Sequence, residues 1–238
     1  MSPDAFLAFP LRGLCLGLAM TRVITALFVF LGGFAVMVLE IIGARFLAKD
    51  FGGSFYVWIS QIGVILVALA AGYAIGGALA DRFRRAGFLA VPLLVAAVFI
   101  YLIPQFTPKL LEAIVMRHPA GEPIPVLWVK LDPALGSGLV FFLPCFVLAV
   151  ISPYTIRIAS SRLETVGMVS GLVYSASTVG SIAGVFMSGY FFIDYMSVST
   201  IFKATGVLTF FLAVLSVMID RRLRAAVQKK TEASSPSA

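Results

Sequence analysis

Charge is what this sequence has least of. Only 12% of its 238 residues are Asp, Glu, Lys or Arg, against about 25% in a typical soluble domain. With 61% hydrophobic residues and a mean hydropathy of +1.04, that scarcity excludes an ordinary soluble domain and points to a multi-spanning membrane protein. Cysteine is nearly missing too. Cys15 and Cys145 make neither a disulfide framework nor a metal cluster. One histidine, His118, cannot complete a Ser/His/Asp or Cys/His set. Beside Pro119 in a loop, with no second ligand near, it reads as solvent-facing. No Gly-rich phosphate loop precedes a Lys-Ser/Thr pair, and no strand–GxGxxG–helix unit is present. Nothing therefore suggests a self-contained enzyme, a cofactor or a metal.

Long apolar runs are what the chain has instead. Six fall near 23–47, 55–80, 87–104, 134–158, 166–192 and 198–219. Each is about long enough to cross a ~30 Å hydrocarbon core as a helix of ~20 residues. They are continuous rather than alternating, which argues against barrel strands. The expected fold class is an all-α integral membrane protein with six transmembrane helices. Residues 1–22 read as an N-terminal interfacial segment: "FLAFPLRGLCLGLAM" is too short to span and contains Pro10 and Arg12. Residues 23–219 form the transmembrane domain, and 220–238 a basic, disordered cytoplasmic tail.

The formal charge of +7 reflects topology rather than nucleic-acid binding. With the N-terminus in the cytoplasm, twelve of the 18 Lys and Arg fall inside, among them Arg22, Arg82, Arg84, Arg85, Arg157 and Arg162. The other six fall outside. The positive-inside rule then puts both termini in the cytoplasm, and an even number of spans agrees. A long outer loop, 105–133, contains "TPKLLEAIVMR". Thr107 is placed as an N-cap, Pro108 at the first helical position, and Leu110, Leu111, Ile114 and Val115 at helical spacing. The expectation is a short amphipathic helix on the outer surface.

Within the spans Glu40 stands out, in "FAVMVLEIIGARF". A carboxylate at that depth must be protonated, paired or turned to water. Arg45 is five residues on, about 140° around the helix, so it is an imperfect partner that snorkels outward. Proton or cation coupling and a structural interhelical pair both remain open for Glu40. Gln61 and Tyr73 lie in the second span. Ser170, Tyr174, Ser177, Thr178 and Ser181 form a polar patch in the fifth. Ala68, Gly72, Gly76 and Ala80, and again Ala176, Gly180, Gly184 and Ser188, recur at spacing four, which lets helices pack closely in lipid. Pro144 and Pro153 invite kinks in the fourth span.

Several of these motifs carry a family resemblance. "GGALADRFRR" resembles the cytoplasmic loop motif G-x-x-x-D-R-x-G-R-R of major facilitator transporters, shortened by one residue. "LEIIGARFLAKDFGGSFYVW", "FFLPCFVLAVISPYTIRI" and "GLVYSASTVGSIAGVFMSGYFFI" are similar, in order, to elements of the membrane part of bacterial fused major facilitator/spermidine synthase-like proteins. The resemblance spans 23–219 and leaves out the soluble synthase-like domain. It implies half of a major facilitator bundle, in a bacterial inner membrane. It also implies a cytoplasmic gate motif of Gly77, Asp81, Arg82, Arg84 and Arg85, with Asp81 held by arginines. Candidate coupling and solute residues are Glu40, Arg45, Gln61, Tyr174, Ser177 and Thr178. Two functions follow from it. One is a transporter-like protein handling a small cationic solute as a homo-oligomer or with other membrane subunits. The other is a non-transporting subunit that anchors or assembles a soluble spermidine synthase-like enzyme or a larger membrane complex.

Overall fold

The computed structural model describes residues 4–83, 85–119, 121, 123–160 and 166–234, with side chains from Val23 to Ala225 and at Gln228. Six long helices carry the chain: α1 (Asp4–Phe51), α2 (Phe55–Phe83), α3 (Ala90–Val115), α4 (Val126–Ala159), α5 (Val166–Met187) and α6 (Val198–Ser234). A 3-10 turn, Ala86–Leu89, leads into α3. A π-helical turn, Ser188–Phe192, and a last α-turn, Ile193–Tyr195, prolong α5. Each helix contains a segment long and apolar enough to cross a membrane, and no strand occurs among the described residues. The protein is an all-α multi-pass membrane protein.

The breaks between helices have local causes. Gly52 takes φ +80° between α1 and α2, a conformation that a side chain resists. Gly121 takes φ +90° in a turn flanked by Pro119, Pro123 and Pro125. Ser197 caps α6: its Oγ accepts from the Thr200 backbone N–H at 3.2 Å, satisfying one of the free amides of the first turn.

Two expectations about helix ends change. The stretch 107–115 is helical, but it is the outer end of α3 and not a separate surface helix. Thr107 is fully buried and caps nothing. Leu111 and Phe51 of α1 both pack against Gly136 of α4, so inward packing overrides the cap signal at Thr107-Pro108. Helix α4 likewise begins at Val126, eight residues before the apolar run. Residues 220–234, read as part of the tail, continue α6. Ala, Leu, Arg, Lys and Gln, all good helix formers, dominate 221–230. Residues 4–22, read as an interfacial segment, are helical and continuous with the first span.

Helices α1 and α4 form the centre, with 56% and 61% of their most apolar stretches buried, against 22% in α2 and 17% in α5. The neighbours repeat in a pattern. Helix α1 packs along α5, α2 along α4, and α3 along α6. Exchanging α1–α3 for α4–α6 returns the same set of pairs. Single residues follow the same rule. Gly72 of α2 lies against the Phe146 carbonyl and Gly76 against the Val150 backbone; Gly180 of α5 lies against the Phe30 carbonyl and Gly184 against that of Phe34. In both pairs the numbers rise together, so the packed helices are parallel. The two three-helix units are thus related by a pseudo-two-fold axis, with opposite orientations across the membrane.

Candidate functional site

A cleft opens between the two central helices and the two peripheral ones. Its floor is Gly32, Gly33 and Val36 of α1 with Ser152 of α4; its walls carry Tyr73 of α2, and Ser177 and Ser181 of α5. About 40 Å³ is open to water-sized molecules, enough for a few waters by the ~10–15 Å³ that one needs. Gly33 is what lets α1 approach the hydroxyls. A side chain there would strike the Ser177 carbonyl and come within 3.0 Å of the Ser177 and Ser181 hydroxyls. As built, Ser181 Oγ donates to the Gly33 carbonyl at 3.3 Å. Tyr174 lies one turn before Ser177 on α5 and is exposed, as is Tyr73 on α2.

Glu40 follows Val36 and Met37 by four and three residues, so it shares their face of α1, one turn farther along. Its carboxyl is half-buried. It has no hydrogen-bond or ion-pair partner among the described residues. Arg45 is exposed and does not pair with it. Gln61 is elsewhere. It is fully buried between helices, where Ser137 Oγ donates to its Oε1 at 2.6 Å and its Nε2 donates to the Leu39 carbonyl at 3.4 Å. The structure therefore brings Ser177 and Tyr73 together at the cleft, with Glu40 one turn away. Thr178 is exposed beside them.

The acid-and-arginine cluster lies at the C-terminal end of α2. Asp81 pairs with Arg157 Nε of α4 across two exposed side chains. The expectation of an arginine partner for Asp81 is met on another helix. Arg82 lies over the Phe83 ring, 5.8 Å from its centroid. The Arg85 carbonyl accepts from Tyr154 Oη at 2.9 Å. Phe83 stacks on Phe88 with centroids 4.2 Å apart, and Phe88 on Tyr154 at 6.5 Å. Gly77 has open space around it. Arg84 and Arg162 lie outside the described residues. The turn after α2 is thus fastened to α4 by an ion pair, a hydrogen bond and an aromatic stack.

His118 is not solvent-facing. Its side chain is 11% exposed and its Nε2 lies 2.7 Å from Asp132 Oδ2. Arg117 pairs with the other carboxylate oxygen and stacks on Trp128, 4.1 Å from the ring centroid. Asp132 is the residue that sequence reasoning missed. An acid between apolar residues at the start of α4 needs partners, and that was the available signal. Among the described residues no three His, Cys, Asp or Glu side chains group as a metal site. No protein family, curated protein or solved structure matches this chain.

Proposed function

We propose that this chain is a transporter-like membrane protein that handles a small cationic solute, working as an oligomer or with a partner subunit. One observation carries the reading: Glu40 is a mid-span carboxylate with no partner among the described residues, one turn from a cleft lined by hydroxyls. An ionised side chain at that depth costs ~2.5–3.5 kcal/mol in insertion experiments, a cost that a passing cation or proton offsets. The inverted three-helix units agree with this, since many secondary transporters place their sites at such a repeat interface. The sequence resemblance to major facilitator proteins supports the same reading, with a bacterial inner membrane as the location and both termini in the cytoplasm. Asp81 and Arg157 then form a cytoplasmic gate pair.

Uptake of protonated amines, spermidine included, into proteoliposomes tests it. The wild type should accumulate at least one of them, and Glu40→Gln should abolish uptake while the protein still assembles. Equal uptake by the two proteins would refute the assignment. The second reading, a membrane anchor for a spermidine synthase-like enzyme, draws on the helical basic extension of α6 to Ser234. It predicts retention of such an enzyme on the purified protein and no uptake.

A further inference from the structure

The span Val166–Tyr195 is unlike the other five. It is the least apolar, with mean hydropathy 1.4 against 2.0 to 2.6, and also the least buried, at 17%. In water that combination is ordinary. In a bilayer it is inverted, because hydrocarbon offers no hydrogen bonds to exposed polar groups. The polar groups are not scattered. Ser170, Tyr174, Ser177 and Ser181 recur every three or four residues, with Thr178 beside Ser177, which makes one stripe along the helix. Ser181 uses its hydroxyl on Gly33. Those of Tyr174, Ser177 and Thr178, and of Tyr73 on the facing wall, have no hydrogen-bond partner among the described residues. Tyr174 is 53% exposed and Tyr73 43%. The cleft is open on this side, so the site is incomplete as one chain forms it.

The chemistry of the patch selects its occupant. Lipid chains would leave the Tyr174 and Tyr73 hydroxyls unpaired, because only Ser and Thr can turn to a carbonyl of their own helix. A charged partner would need a counter-charge, and the stripe carries none. A hydroxyl is both donor and acceptor, so a face of hydroxyls is complementary to itself, as a two-fold interface requires. Both copies must keep their basic loops on the same side of the membrane, which fixes the axis along the membrane normal. That axis sets α5 of one copy beside α2 of the other. We infer that the hydroxyl face of α5, with Tyr73 of α2, is the seat of a second copy of this chain, and that two clefts close into one cavity between two Glu40 carboxylates. The inference rests on the proposed cleft for what the cavity holds, but not for its being closed.

Single-cysteine proteins in a Cys15→Ser, Cys145→Ser background test this in native membranes. Thr178→Cys and Tyr174→Cys, treated with thiol cross-linkers of graded length, should give a product of twice the 25.5 kDa chain mass. Val95→Cys on α3, which is 53% exposed, should give none. Mass measurement in mild detergent should show the same doubling, reduced by the Tyr174→Leu, Thr178→Val double variant. A single-chain mass, equal cross-linking at Val95, or an adduct of Thr178→Cys with a different protein would each overturn the inference. The uptake assay separates the two ideas. A dimer that moves no amine refutes transport and leaves the dimer, whereas uptake by a protein that stays single does the reverse.

Discussion

Replacing Gln61 by Leu should weaken the bundle by about 1 kcal/mol and leave solute handling unchanged. The estimate follows from what Gln61 touches. The side chain is fully buried, and Leu nearly conserves its volume, so no large cavity forms. Two interhelical hydrogen bonds are lost. Such bonds average ~0.6 kcal/mol in a membrane protein and reach ~1.7. The 2.6 Å bond from Ser137 belongs near the upper part of that range, and the 3.4 Å bond to Leu39 adds little. The freed Ser137 hydroxyl can turn to a carbonyl of its own helix, which recovers part of the loss. Gln61→Ala keeps the same polar deficit and adds a cavity, so it should cost ~2 kcal/mol more. Ser137→Ala should reproduce most of the Gln61→Leu effect, and the double variant should add almost nothing to either single one. Unfolding in mixed detergent micelles, read by intrinsic fluorescence, measures all four. If Gln61→Leu matched the wild type in stability but lost solute uptake, Gln61 would be a solute ligand and the packing argument would be wrong.

Gly180→Ala and Gly72→Ala should both destabilise, by roughly 1–3 kcal/mol, because each new methyl meets a carbonyl of the packed helix, Phe30 or Phe146. Gly77→Ala and Gly171→Ala have open space and should gain up to ~1 kcal/mol of helix propensity; equal melting temperatures for all four would refute the close-approach argument. Asp81→Asn should change stability by less than ~1 kcal/mol, since Asp81 and Arg157 are 63% and 44% exposed. If the pair acts as a gate, the same change should alter cross-linking between cysteines placed at Phe83 and Ile158. Unaltered cross-linking would reduce Asp81 to a topological marker.

The spans were legible because a bilayer imposes length and apolarity locally, residue by residue. The packing stripe was legible for the same kind of reason: Ala68, Gly72, Gly76 and Ala80 are all buried, as spacing four implies. Helix ends were less so, because distant residues decide them. Asp132 looks like a loop residue until Arg117 and His118 are placed around it, and Thr107-Pro108 looks like a helix start until Leu111 is seen against Gly136. The hydroxyl patch of α5 could be read from sequence. Its meeting with Tyr73 could not, since the register between α2 and α5 is set by the glycines that seat each of them on a central helix. Nor could the partner of Asp81, because nothing local distinguishes Arg157 from the three arginines next to it.

The pseudo-two-fold relation between α1–α3 and α4–α6 bears on how orientation is encoded. Three is odd, so a three-helix unit followed directly by its equivalent must insert the second upside down, whatever its sequence. The glycine seats at 72, 76, 180 and 184 serve both units alike. What differs is the lettering of their loops. The turn after α2 carries Arg82, Arg84 and Arg85, while its counterpart after α5 has no base before Lys203; the turn after α1 has Arg45 and Lys49 near it, and its counterpart after α4 has Arg157 and Arg162. Packing instructions and the compass bearing are therefore written in separate parts of the chain. Moving arginines from the first turn to the other side should reverse which end of the bundle faces the cytoplasm without asking any helix to find a new neighbour.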